Sequence, residues 1–404
     1  MADRNRIPVR TTGSRAARPV RRAVLLAVAC ALVAAGCGSG GGASADKSPQ
    51  SAGQAPYRAV KQGLPGMPPP LDERDLYAAD RPNRLAPQVK DFPSRVYVPN
   101  TGSDTVSVID PKTYKVIETI PVGVQPQHVV PSWDMKTLWV NNDRGHDLTP
   151  IDPATGKAGK PVKVHDPYNL YFTPDGKYAV VMASMDKQLV FRDAHTMTVH
   201  KALPVSCAGV NHADFSPDGK YFIVSCEFSG ELLKVDTAKM EVTGQQKLPF
   251  EGAMPQDVKI SPDGKTWYVA DMMADGVWVL NGDAFDRPKL LPTGKGTHGL
   301  YVSRDSRYMY ISNRGEGSIS LLDFRTGELV DKWHIRGGGS PDMGGVSADG
   351  NVLWLSGRYN SEVYALDTHT GKTLAKIKVG LGPHGLAVYP QPGRYSLGHT
   401  GIFR

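Results

Sequence analysis

Ser216-Pro217-Asp218-Gly219-Lys220-Tyr221-Phe222-Ile223-Val224-Ser225-Cys226 reads as a tight turn feeding a strand. Pro217 presets the first turn dihedral and Gly219 supplies the positive one. Tyr221 to Ser225 is rich in aromatic and β-branched residues, which fit a half-buried pleated surface. Ala213-Asp214-Phe215 forms a short strand before the turn, and residues 232–236 and 241–248 form two after it. The unit is therefore four antiparallel strands. Its hinge recurs at Ser132, Thr173, Ser216, Ser261, Ser303, Ser347 and Tyr389, with spacings of 41, 43, 45, 42, 44 and 42 residues. A period in that range built from four short strands specifies the blades of a propeller.

The third strand of the unit ends in Asp at Asp110, Asp152, Asp193, Asp236, Asp323 and Asp367, where a carboxylate caps the following turn. Segments 95–98, 105–110 and 115–121 make a set lacking its innermost strand, and 384–389 is an innermost strand with no unit after it. Joined, they complete one sheet. The fold expected is all-β: a seven-bladed β-propeller with four antiparallel strands per blade, closed by three N-terminal strands and one C-terminal strand. Closure removes sheet edges that would otherwise template aggregation.

Three segments are expected along the chain: 1–36, 37–90 and 91–404. Arg4, Arg6, Arg10, Arg15, Arg18, Arg21 and Arg22 precede an apolar stretch at 23–33 too short for an ordinary membrane span. Ala34-Ala35-Gly36-Cys37 follows, as in a bacterial lipoprotein signal, with Cys37 as the lipid acceptor. An ordinary secretory signal is the alternative. Arg21-Arg22 leaves Sec and twin-arginine export both open. Residues 37–90 are Gly/Ser-rich and then Pro-rich, and read as a linker. The expected location is the outer face of the cell membrane. Of the net charge of +7, +6 lies in the first 36 residues, leaving about +1 for the rest. The basic balance belongs to export and gives no support to nucleic-acid binding. The membrane is expected as a partner only through the lipid, and the chain as a monomer.

The repeats also carry Tyr97-Val98-Pro99-Asn100, Tyr268-Val269-Ala270-Asp271, Tyr310-Ile311-Ser312-Asn313 and Asp367-Thr368-His369-Thr370-Gly371-Lys372. Over nearly all of 95–390 these resemble the YVTN-type repeat of YncE-like seven-bladed propellers of the bacterial cell envelope. That group shares its repeat with the haem-binding propeller domain of nitrite reductases. The resemblance implies a fold; it implies no single activity, because propellers host many.

Function is sought at the channel mouth, where the loops leading into the innermost strands and those after the second strands meet. His128, His212, His298 and His384 all begin innermost strands. Four imidazoles around one axis suggest a metal or haem-type group. Measured from the turn, however, His298 and His384 lie one position earlier than His128 and His212. Strand alternation then puts the two pairs on different faces, so one four-histidine ring is not expected. The first register reads Gln127, Tyr168, Asn211, Gln256, His298, Asp342, His384. The second reads His128, Asn169, His212, Asp257, Gly299, Met343, Gly385. A wet, hydrogen-bonded mouth is the preferred reading, with His128, His212, Asp257, His298, Asp342, Met343 and His384 lining it.

Arg144, Arg314 and Arg358 follow second strands and either converge on a small anionic ligand or pair with Asp143, Glu316 and Glu362. Cys226 stands where other copies have Asn, close to Cys207. The two form a disulfide, or Cys226 joins His212, Glu227 and neighbouring methionines as a soft copper site. Residues 337–345 are glycine-rich but precede no Lys-Ser/Thr and no helix, so they are no phosphate loop. Arg394 and His399, in a tail the repeat does not place, are candidates to cap the channel.

Three functions remain. The preferred one is a non-catalytic envelope lipoprotein binding a ligand or envelope protein at the mouth, with no cofactor. The second is a copper or haem-type redox protein using the channel histidines. The third is a lyase or hydrolase with a channel His as base, as in the seven-bladed streptogramin lyases, without a residue-level match.

Overall fold

The computed structural model describes residues 63–399 and 401–404. The export segment, the lipid acceptor Cys37 and the linker up to residue 62 lie outside the described residues. Seven four-stranded antiparallel sheets form the expected blades. Blade 1 orders Ala387–Tyr389, Arg95–Asn100, Thr105–Asp110 and Lys115–Pro121 from the axis outward. The innermost strands of blades 2 to 7 are Pro126–Pro131, Asn169–Phe172, Val210–Phe215, Pro255–Ile260, Thr297–Val302 and Pro341–Val346. The ring closes by antiparallel pairing of Arg95 with Tyr389, Val96 with Val388 and Tyr97 with Ala387.

The recurring polar residues are architectural. In the turn, Ser216 Oγ donates to Asp218 Oδ1 at 2.8 Å, and the same bond forms from Ser132 to Asp134 at 2.7 Å and from Ser261 to Asp263 at 2.6 Å. The Asp ending each third strand accepts backbone N–H groups of the next turn, as Asp110 does from Lys112 at 3.0 Å and Asp367 from His369 at 3.0 Å. Such carboxylates satisfy turn donors and drop out of the search for chemistry. Apolar residues of neighbouring blades interdigitate: Tyr171, Met182 and Phe191 of blade 3 pack with Phe215, Val224 and Leu233 of blade 4.

Two segments depart from the expected boundaries. Residues 63–90, read from their Pro/Gly content as linker, form a strap across the turn face, and Leu64, Leu76, Tyr77, Ala86 and Val89 are buried. Its backbone bonds pass from blade to blade: Leu64 N–H to Asp218 O and Leu76 N–H to Pro262 O, each 2.8 Å, then Asn83 N–H to Ala348 O, also 2.8 Å. Apolar side chains spaced between the prolines pin what composition alone marks as free chain.

The tail from 393 onward enters the channel from the same turn face. Its carbonyl at Leu397 accepts Phe172 N–H at 2.9 Å, and His399 N–H donates to Leu170 O at 3.2 Å. Gly398, at φ +106°, admits this approach, because a Cβ there would lie 2.5 Å from Leu170 O. Leu397, Ile402 and Phe403 are buried, so the channel is filled from below.

Arg404 anchors this plug by donating from Nη2 to Asp214 Oδ1 and Phe215 O, each at 2.9 Å, with both side chains buried. Arg404→Ala leaves a buried carboxylate unpaired and is expected to cost about 3–5 kcal/mol. Urea unfolding measures this. Arg404→Met combined with Asp214→Asn should recover much of the loss, and an unchanged midpoint in the single variant would contradict the anchoring role.

Candidate functional site

The four repeat histidines converge, contrary to the expectation of two separate faces. His128 lies 4.7 Å from His384 and 5.7 Å from His212 between ring centroids; His212 to His298 is 6.2 Å and His298 to His384 is 5.9 Å. The cause is a bulge at the mouth end of the innermost strands. Register shifts separate Pro126 from His128, Val210 from Ala213, and Thr297 from Leu300. An extra residue in one strand of a pair breaks strict alternation and re-aims side chains. Consecutive positions therefore both face the axis, and the two registers become two tiers of one cluster. The expected wet mouth is instead buried: His128, His212, His298, His384, His399 and Asp342 are each at most 2 % exposed.

The donors fall into two trios. His128, His212 and His399 place one ligand atom each within 4.8 Å of the others, and so do His298, Asp342 and His384. The tail contributes the fifth ring, with His399 at 5.2 Å from His128 and 5.0 Å from His212. His128 Nδ1 is 2.8 Å from Tyr168 O. A carbonyl only accepts, so Nδ1 carries the proton and Nε2 holds its lone pair inward. The Asn169 amide nitrogen lies 3.2 Å from Nδ1 of both His212 and His399, and its oxygen accepts Leu170 N–H at 2.9 Å. The amide therefore donates to both rings: their Nδ1 atoms accept and the neutral rings carry their protons on Nε2. Nε2 of His128, His212 and His399 has no hydrogen-bond partner in the protein. Gly385 makes room for His128, since a Cβ there would stand 2.1 Å from its Cδ2.

In the second trio, Asp342 offers one oxygen to each ring: Oδ1 at 3.2 Å from His298 Nδ1, and Oδ2 at 3.6 Å from His384 Nε2. Neither contact is aligned as a hydrogen bond, and Oδ2 has no other hydrogen-bond partner. Arg314 Nη1 holds Oδ1 at 3.1 Å. Its guanidinium lies 5.2 Å beneath the Tyr359 ring, whose residue is 70 % exposed at the mouth.

Burial lowers the pKa of all five imidazoles, taking His128 down to about 4. The Arg314 and Arg358 guanidiniums add to the effect on His298 and His384. Neutral imidazole is the form that ligates metals: His128 presents an Nε2 lone pair, while His212 and His399 ligate through Nε2 only after the ring proton moves to Nδ1. Burial raises the Asp342 carboxyl against the pull of Arg314, and raises Asp257 to about 6.

The other candidates separate. Asp257 Oδ1 sits 3.7 Å from His399 Nε2, while its Oδ2 accepts Leu300 N–H from the next blade at 3.0 Å. Met343 is buried, its backbone exchanging hydrogen bonds with Ser356 Oγ. Arg358 leaves Nη1 buried without a hydrogen-bond partner. Arg144 lies half-exposed, 3.9 Å from Asp143, so the three arginines do not converge. Cys226 is bonded to Cys207 with Cα atoms 5.9 Å apart, which removes it as a thiolate ligand. Imidazoles with centroids 4.7–6.2 Å apart leave no room between them for a haem-type macrocycle.

The two tiers define a closed propeller with a buried polyhistidine centre on its axis. The chain belongs to the YNCE-like beta-propeller family, whose sequence profile matches residues 83–393. No curated protein matches it. Among solved structures it is similar to Kuenenia stuttgartiensis hydrazine synthase, at 20 % identity over 73 % of this chain and 97 % of that one, TM-score 0.60. A putative 6-phosphogluconolactonase from Bacteroides fragilis is 18 % identical over 73 % and 97 %, TM-score 0.59. Dihydro-heme d1 dehydrogenase NirN, solved in complex with DHE, is 18 % identical over 81 % and 71 %, TM-score 0.53. These likenesses concern the fold alone.

Nitrogen-15 spectra of labelled histidine check the ring states. At about pH 5.5, one unit below the ordinary imidazole value, the five channel rings are expected to show neutral-tautomer shifts, and His128 should protonate only near pH 4. A His128 that titrates above pH 6 would contradict its burial.

Proposed function

We propose that this chain is an exported envelope protein whose propeller binds a divalent transition-metal ion, copper(II) or zinc(II), on its axis. The observation that carries the reading is the His128–His212–His399 trio, three buried neutral imidazoles whose ligand atoms lie within 4.8 Å of one another and whose Nε2 atoms have no protein partner. Binding an ion requires the protons of His212 and His399 to move to Nδ1, with the Asn169 amide turned to accept them. All-imidazole sets suit copper, zinc, iron and nickel. With metal–nitrogen bonds of about 2.0–2.1 Å, tetrahedral donors stand roughly 3.4 Å apart, which small ring rotations reach from the present separations. A lyase or hydrolase base is less well supported, because rings at most 2 % exposed are out of reach of an organic substrate. A partner that delivers or takes the ion would meet Met185, Phe228, Met273, Tyr359 and Leu381, all exposed on loops of the mouth face.

Protein stripped with chelator and dialysed against copper(II) or zinc(II) is expected to retain metal through gel filtration. His212→Ala and His399→Ala should each weaken the trio's ion about 100-fold or more. Wild-type protein that stays metal-free while its circular dichroism is native would end the metal reading.

The envelope location rests on the basic segment, the apolar stretch and Ala34-Ala35-Gly36-Cys37. Labelled palmitate should be incorporated at Cys37, and Cys37→Ser should move the protein from the membrane fraction to the soluble one. Membrane retention of the Ser variant would refute a lipid anchor.

A further inference from the structure

We infer that the channel holds a second, separate metal site, formed by His298, Asp342 and His384, with Arg314 as a built-in competitor for its carboxylate. The inference rests on the reading of the channel as a metal centre but uses a different set of donors. Those donors come from blades 6, 7 and 1, one position nearer the mouth than His128 and His212, and their ligand atoms cluster among themselves. Their exposures are 3, 0 and 2 % for the side chains of His298, Asp342 and His384.

Geometry favours an ion over a simple ion-paired network. The separations of 3.2 and 3.6 Å from the Asp342 oxygens to the two rings bracket the roughly 3.4 Å edge of a tetrahedral site. They are not aligned as hydrogen bonds, and Asp342 Oδ2 and His298 Nδ1 lack hydrogen-bond partners in the protein. A His–carboxylate pair built for mutual hydrogen bonding would align one N–H with one oxygen. Here one ligand atom from each of the three residues lies within 4.8 Å of the other two.

The site differs chemically from its neighbour. The deeper trio is neutral and all-nitrogen. This one adds a hard anionic oxygen, which favours zinc, iron or manganese over soft cuprous copper. Arg314 orients the carboxylate from outside at 3.1 Å, as groups behind metal ligands do. Being cationic, it also repels the incoming ion. The second ion should therefore bind more weakly than the first, and removing Arg314 should tighten it.

The test is metal titration of the full chain, stripped and then dialysed against zinc(II) and cobalt(II), with metal per protein read by elemental analysis and cobalt geometry by visible absorption. Wild type is expected to take two equivalents, the second about tenfold or more weaker than the first. Asp342→Asn should abolish only the weaker equivalent, and His399→Ala should weaken only the tighter. Arg314→Gln, which keeps every donor, should tighten the weaker one by about tenfold. If Asp342→Asn unfolds, His384→Gln replaces it in the same comparison. One equivalent in wild type, or a second that ignores Asp342→Asn (or His384→Gln) and Arg314→Gln, overturns the second site while leaving the first. Failure to bind any ion would instead overturn the metal reading as a whole.

Discussion

The closing sheet is the constraint on which the molecule depends. Three strands from one end of the fold cannot bury the inner edge of blade 1 until Ala387–Tyr389 pairs with Arg95–Tyr97. Before that pairing the blades are an open arc with an unpaired edge, and their first residues share no axis. The closing segment also carries His384, whose N–H donates to Pro99 O at 3.0 Å, and Gly385, whose N–H donates to Gln127 O at 3.0 Å. The hydrogen bonds that shut the ring thus bring blades 1 and 2 together at the point where His384 and His128 meet. Beyond them the same stretch of chain turns back into the channel and delivers His399. Ring closure, channel filling and completion of the histidine cluster are one structural event.

A closed ring fixes where the strands start, and the bulges then fix what they present. Without a bulge, residues 127 and 128, or 211 and 212, would point to opposite sides of the strand, and half the ligand-capable groups would be lost to the space between blades. With it, the axis receives an upper tier from one register and a lower tier from the other. Asn169 is shared between His212 and His399, and Tyr168 O orients His128, so the supports of the lower tier come from one short strand start in blade 3.

The fold was legible because repetition multiplies a weak local signal: the turn of the Ser-Pro-Asp-Gly type recurs at six of the seven hinges and Asp-ended third strands recur six-fold, and each copy lends weight to the others. The four repeat histidines were legible as positions for the same reason. Their convergence was not, because alternation was extended through a strand end that bulges, and a bulge has no residue signature here. His399 lay outside the period, although Tyr395 and Leu397 before it, Gly398 beside it, and Ile402 and Phe403 after it mark an apolar hairpin. The strap was hidden by composition: prolines suggested a stiff free spacer, while Leu64, Leu76, Tyr77 and Val89 were the anchors.

Packing alone does not account for the centre. A channel that needed only to be filled could carry apolar side chains, as the spaces between blades do. Each buried polar atom left without a partner instead costs about 1–3 kcal/mol, and all five rings have a nitrogen in that state. Charges of both signs surround the rings, with Arg314 and Arg358 opposing protonation of His298 and His384 and two carboxylates beside the rings. Asp257 stands 3.7 Å beneath His399, and Asp342 stands between His298 and His384. Each carboxylate is partly held by other groups, Asp257 by backbone N–H donors of two blades and Asp342 by Arg314. On the proposed reading the ring nitrogens would supply a dication's ligands and the tethered carboxylates its counter-charge, which an apolar core could not do.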